Sequence, residues 1–154
     1  MGKSVAHPWF ICTFTVAETL FTALNEFSAR RAIDVSTASQ PFFRQFWATA
    51  TAGQSHAYGS AAYDAIAAGM RAYADSFLAR TQHHAMTNGS LSEQFSRFDG
   101  YQKGVRFPSH FPSSPSLLLR VGANCGDNVQ ARDLTWSYAS FLTTKWARDG
   151  ATAY

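Results

Sequence analysis

Residues 61–82 read Ala61-Ala62-Tyr63-Asp64-Ala65-Ile66-Ala67-Ala68-Gly69-Met70-Arg71-Ala72-Tyr73-Ala74-Asp75-Ser76-Phe77-Leu78-Ala79-Arg80-Thr81-Gln82. Tyr63, Ile66, Met70, Tyr73 and Phe77 recur at spacings of three, four, three and four, the period of one helix face, in a background rich in alanine. A helix over this stretch sets the class, because the segments on both sides carry the same period. Pro8 to about Phe27 places Phe14, Ala17, Phe21, Leu24 and Phe27 on one stripe, with Pro8 at the helix start, where a missing N–H costs nothing. A shorter helix is expected from Pro41 to Ala50, buried through Phe42, Phe43 and Trp47. A last one starts within Arg132-Asp133-Leu134-Thr135-Trp136-Ser137-Tyr138-Ala139, with Leu134, Tyr138, Phe141 and Leu142 facing inward and Asp133 near its start as a cap. Residues 28–40 and 51–55 read as turns. The expectation is an all-α chain of about four helices with no strand.

Composition narrows the function classes. The 154 residues are enough for one domain with a core. An apolar fraction of 46% is too high for disorder. The net charge is +3, with lysines and arginines scattered rather than blocked, so no footprint for nucleic acid exists. Met1 to Phe21 interleaves His7, Pro8, Thr13, Thr15 and Glu18 with its apolar residues, which fits neither a signal peptide nor a membrane span. Cys12 and Cys125 cannot build a disulfide framework; a single bridge and two buried thiols are both open. His83 and His84 are adjacent, so on a helix they diverge by about 100° and do not chelate one metal. No metal or cofactor is expected. Residues 104–130 hold three prolines, a serine-rich patch and no helical period, as an irregular loop does.

Residues 88–99, Asn-Gly-Ser-Leu-Ser-Glu-Gln-Phe-Ser-Arg-Phe-Asp, hold the chemistry. Glu93 follows a polar turn and precedes Phe95 and Phe98. A carboxylate between a turn and an apolar wall can be held in place with its water controlled, the setting a general base needs. Asn88-Gly89-Ser90 is in addition an N-glycosylation sequon.

Three blocks then align in order: His7-Pro8-Trp9-Phe10-Ile11-Cys12-Thr13, Asn88 to Phe95, and Ala131 to Ala139. Together with Phe42-Phe43 and Tyr73-Ala74-Asp75-Ser76-Phe77 they resemble the C-terminal third of the catalytic domain of fungal glucoamylases. The resemblance implies part of an (α/α)6 barrel, here a partial toroid, and hydrolysis of terminal α-1,4-linked glucose from starch or maltooligosaccharides with inversion. It implies Glu93 as the general base, about 6.5–9.5 Å from the acid so that a water fits between them. Trp9 would stack near the leaving sugar, and Trp136 would help to wall the base. Full-length members are extracellular, and a monomer without nucleic-acid or membrane partners is expected.

Two departures accompany the resemblance. The family's general acid lies ahead of the Trp9 block, so this chain is expected to be a fragment, inactive alone. His7 also stands where the family usually has Asn. Secondly, removal of residues 105–130 joins Gly104 to Ala131 at the family's spacing. Val105-Arg106 can be encoded as a splice donor, Ala123-Asn124 as a branch point and Gln130 as an acceptor, which suggests a translated intron; a surface loop is the alternative. Once joined, Gly104 falls near the base, where many members carry a hydroxyl. The rival to an enzyme is a non-catalytic helical remnant that binds carbohydrate or protein.

Overall fold

The computed structural model describes residues 7–97, the backbone of 102–103, and residues 134–151. Four helices dominate them: α1 (Phe10–Arg30), α2 (Gln40–Phe43), α3 (Ala61–His84) and α4 (Thr135–Gly150). The chain is all-α in class, as expected. Phe14, Ala17, Phe21 and Leu24 of the expected α1 stripe are buried and Phe27 is half-buried, with Phe10, Leu20 and Ser28 added. α1 is the central element, packed against α3 on one side and α4 on the other.

The partners along each helix give the directions. Glu18 and Asn25 of α1 meet Thr143 and Ala147 of α4 in the same order, so these two helices run parallel. Arg71 and Asp75 of α3 meet Ala151 and Arg148 in reverse order, so α3 opposes α4. The main core joins Leu20, Phe21, Leu24, Ile33, Phe43, Ile66 and Met70. A second cluster of Phe10, Phe14, Leu91 and Phe95 lies at the N-terminal end of α1.

Strands are present where none was expected. β1 (Ala32–Asp34) pairs antiparallel with β2 (Ser55–Ala57), with Ile33 opposite His56. β3 (Gln94–Phe95) pairs antiparallel with β4 (Gln102–Lys103). These ladders are two or three residues long, too short for an alternating apolar pattern to show. The β1–β2 pair closes the link from α1 to α3. Arg31 ends α1 in the left-handed region at φ 59°, and its guanidinium lies 3.4 Å above the Tyr58 ring. That contact, with the Tyr58 N–H donating to the Arg31 carbonyl, offsets a backbone position usually left to glycine.

Other boundaries differ too. The helix expected over Pro41–Ala50 stops at Phe43, because Gln40 Nε2 and Arg44 Nε both donate to the Ala50 carbonyl and curl the chain back. Phe43 is buried, while Phe42 and Trp47 are only half-buried. On α3 the stripe drifts to Ala74 and Thr81, leaving Tyr73 exposed, since 3.6 residues per turn do not hold a strict seven-residue repeat. On α4 the buried positions are Ser137 and Thr144, and the expected Phe141 and Leu142 are exposed. Thr144 Oγ1 there donates to the Phe14 carbonyl of α1 at 3.3 Å, and Ser137 Oγ donates to the Ser92 carbonyl, so the buried positions are taken by hydroxyls that bond backbone. Cys12 is a free, exposed thiol, not a buried one. Phe98, Gly104, the insert 105–130, Cys125 and Asp133 lie outside the described residues.

Candidate functional site

Pro8 is two residues ahead of α1 in extended backbone, not at the helix start, and this lets the chain form a short bridge to the Glu93 segment. Trp9 pairs antiparallel with Gln94. The Phe10 N–H donates to the Glu93 carbonyl at 3.1 Å, and the Phe95 N–H donates to the Pro8 carbonyl at 3.0 Å. The first N–H groups of a helix have no intrahelical acceptor, so the Glu93 carbonyl satisfies a donor that α1 leaves free. Two of the sequence candidates, Trp9 and Glu93, are thereby tied together from positions 84 residues apart.

α4 holds the same segment from its other end. The Leu134 N–H donates to the Leu91 carbonyl at 3.1 Å, and the Leu91 N–H donates to the Tyr138 hydroxyl at 3.1 Å. Ser137 Oγ, fully buried, donates to the Ser92 carbonyl at 2.9 Å. Glu93 therefore sits between a clamp from α4 on its N-terminal side and a clamp from the start of α1 at and beyond it.

The side chain of Glu93 is 5% exposed, and burial pushes its carboxyl above the ordinary carboxylate range. Gln94 Nε2, 3.5 Å from Glu93 Oε2, opposes that shift by favouring the ionised form. Apolar rings surround the segment: Phe95 packs on Phe10 with centroids 5.0 Å apart. A buried carboxylate with a raised pKa is a stronger base than an ordinary one, which suits a group that takes a proton from water.

Trp9 is 36% exposed at the N-cap of α1. Trp136 is 48% exposed in the first turn of α4, beside the Ser137 clamp. Asn88 is exposed, and its Oδ1 accepts from the Ser90 N–H at 3.0 Å, forming a turn completed by Gly89 at φ 80°. Gly104 lies outside the described residues. The sequence drew no attention to Ser137 and Gln94, and marked Tyr138 only as an inward-facing position of the last helix; a serine within an otherwise apolar helix face was the available signal. His84, the last residue of α3, stacks on Phe95 with centroids 4.1 Å apart and planes 14° apart.

Two grooves flank the Asp75–Arg148 ion pair. One, of about 630 Å³, lies between α1 and α3 against Tyr58, Tyr63 and Arg71. The other, of about 760 Å³, lies between α3 and α4 against Leu78, Tyr138 and Phe141. Neither is lined by Glu93 or Trp9. Among the described residues no three His, Cys, Asp or Glu side chains meet at one point, and no helix is long and apolar enough to cross a membrane.

Residues 1–146 match the family model "Glycosyl hydrolases family 15". The chain is 33% identical to Glucoamylase 1 of Rhizopus oryzae over 99% of its own length and 21% of that protein. It is 32% identical to Glucoamylase-1 of Schizophyllum commune over 94% of its length and 20% of that protein. Its structure is similar to that of the family 15 glucoamylase from Hypocrea jecorina, with a TM-score of 0.73 and 30% identity, covering 94% of this chain and 20% of the other. The chain thus spans about a fifth of the length of these relatives.

Proposed function

The chain belongs to glycosyl hydrolase family 15, and from that premise we propose that it supplies the water-activating part of a glucoamylase-type reaction on starch or maltooligosaccharides. In this reading the Glu93 carboxylate takes a proton from a water molecule. The water oxygen attacks the anomeric carbon of the terminal glucose from the face opposite the glycosidic oxygen. The bond to that oxygen breaks, the oxygen takes a proton from a second carboxyl group, and the glucose leaves with inverted configuration. Trp9 stacks near the leaving sugar and Trp136 helps to wall the base; with residues 105–130 removed, Gly104 falls near the base, where many members carry a hydroxyl.

The observation that carries the reading is the buried Glu93 carboxyl, raised in pKa, on a segment hydrogen-bonded at both ends to α1 and α4. The resemblance puts the acid ahead of the Trp9 block, so the 154 residues alone are expected to leave starch and maltose intact. The test is a graft in which residues 7–151 replace the matching fifth of the Rhizopus oryzae enzyme. It should release β-glucose, and Glu93→Gln should lower kcat by about 10²–10⁴-fold. A graft whose turnover survives Glu93→Gln sinks the assignment. One that binds maltooligosaccharide through Trp9 without turnover supports the second reading, a carbohydrate-binding remnant. That alternative draws on the partial exposure of the Trp9 ring.

In the same reading the full-length protein is extracellular, and Asn88 carries a glycan only where the protein is secreted. We further propose that residues 105–130 are a translated intron. Sequencing spliced transcripts decides it, and a segment retained in every message ends the idea.

A further inference from the structure

Glu93 has no helix of its own, and its position depends on what fixes residues 91–95. The hydrogen bonds named above fix the backbone, but they leave the Phe95 ring free to rotate about χ1. Two rings restrain it. Phe10 meets it at a tilt of 56°, and the His84 imidazole lies nearly parallel to it, 4.1 Å from its centroid. His84 is the last residue of α3, so the stack also ties the end of that helix to the Glu93 segment. His83 packs edge-on against His84, with centroids 4.8 Å apart, and restrains the imidazole in turn. A planar ring at the end of a 24-residue helix is a stiff stop, whereas a flexible side chain would let Phe95 and its strand swing.

We propose that His84 is a positioning residue for Glu93: its imidazole, stacked on Phe95 two residues beyond, holds that end of the segment in place and so keeps the carboxyl buried. The inference deepens the reading of Glu93 as the base and rests on it for its catalytic meaning. Its physical content, the shielding of Glu93, can be measured without turnover.

The chain has three glutamates, Glu18, Glu26 and Glu93, so ¹³C labelling of Glu side chains gives three carboxyl titrations, with Glu93 assigned by its loss in Glu93→Gln. In the parent chain Glu93 should titrate above the ordinary carboxylate range, because burial disfavours its ionised form. His84→Ala should move that midpoint down toward the ordinary range, while the circular dichroism of the chain stays unchanged. His84→Phe, which keeps a flat ring, should leave the Glu93 midpoint at its parent position. An unmoved midpoint in His84→Ala overturns the proposal. So does a fall in His84→Phe, which decides the case in which the alanine variant disturbs the fold and changes the circular dichroism. In the graft, His84→Ala should lower kcat about tenfold with KM little changed. A titration that behaves as expected beside an inactive graft removes the base assignment and leaves the positioning intact.

Discussion

Ser137 Oγ donates a 2.9 Å hydrogen bond to the carbonyl of Ser92, the residue directly before Glu93, and Ser137 is fully buried. With the Leu134 N–H and the Tyr138 hydroxyl, both bonded to Leu91, it fixes where the carboxylate-bearing segment begins. Ser137→Ala leaves a buried carbonyl without that donor, which costs about 1–3 kcal/mol. Urea unfolding of the chain should show the loss, and the grafted enzyme should lose kcat more than substrate affinity. Unchanged stability and kcat in Ser137→Ala would mean that the clamp is dispensable.

The buried carboxyl makes stability depend on pH in a definite direction. Glu93 has a folded-state pKa raised above its ordinary 4.5, so the folded state holds the proton more tightly than the unfolded chain does. Its contribution is therefore fully present below pH 4.5 and is lost as pH rises through the folded-state value. Glu93→Gln removes this dependence. The variant should equal or exceed the parent in melting temperature at pH 7, with the difference closing toward pH 4. A variant less stable than the parent at pH 7 would contradict the assigned cause of the shift.

Gly69 lies where α3 passes the Phe46 ring. A Cβ at Gly69 would stand 2.6 Å from Phe46 Cδ1 and 3.1 Å from its Cβ. Alanine gains about 1 kcal/mol of helix propensity over glycine. Overpacking of this kind costs about 1–3 kcal/mol. Gly69→Ala should thus be neutral to moderately destabilising in thermal melts, and truncating the ring as well, in Phe46→Ala with Gly69→Ala, should recover the propensity gain. Stabilisation by the single change would show that the ring yields freely.

Arg148 Nε meets Asp75 Oδ1 at 2.7 Å between α4 and α3, with both side chains more than one-third exposed. The hydrogen bond and charge of Asp75 raise the Arg148 pKa further. Solvent screens such pairs, so a double-mutant cycle should return a coupling of about 0–1 kcal/mol. It should shrink further in 1 M salt. A coupling several times larger and indifferent to salt would show that the helices exclude water around the pair.

Asn88 is exposed, and its turn leaves the side chain at the surface. Expression through a secretory pathway should add one glycan there, removed by Asn88→Gln and read by mass spectrometry of the intact chain. An unmodified Asn88 in a secreted product would end the proposal for this site.

Much of the architecture was open to a reader of the sequence, because each long helix carries its own period. The positions that broke the pattern did so for local reasons. Tyr73 lost its place to Ala74 as the helix repeat drifted, and Gln40 and Arg44 curled the chain after Phe43 by taking the Ala50 carbonyl. Glu93 was legible only as a carboxylate between a turn and aromatic residues.

The sequence by itself determined the three long helices and the family, since periodicity and motif are properties of neighbours along the chain. The tertiary structure alone decided that Trp9 and Gln94 pair, that Ser137 grips Ser92 and that His84 stacks on Phe95. These contacts join residues that lie between 11 and 85 positions apart, by backbone groups and ring faces that leave no periodic trace. Burial, which raises the pKa of Glu93, is likewise a property of the packed chain and of no single residue.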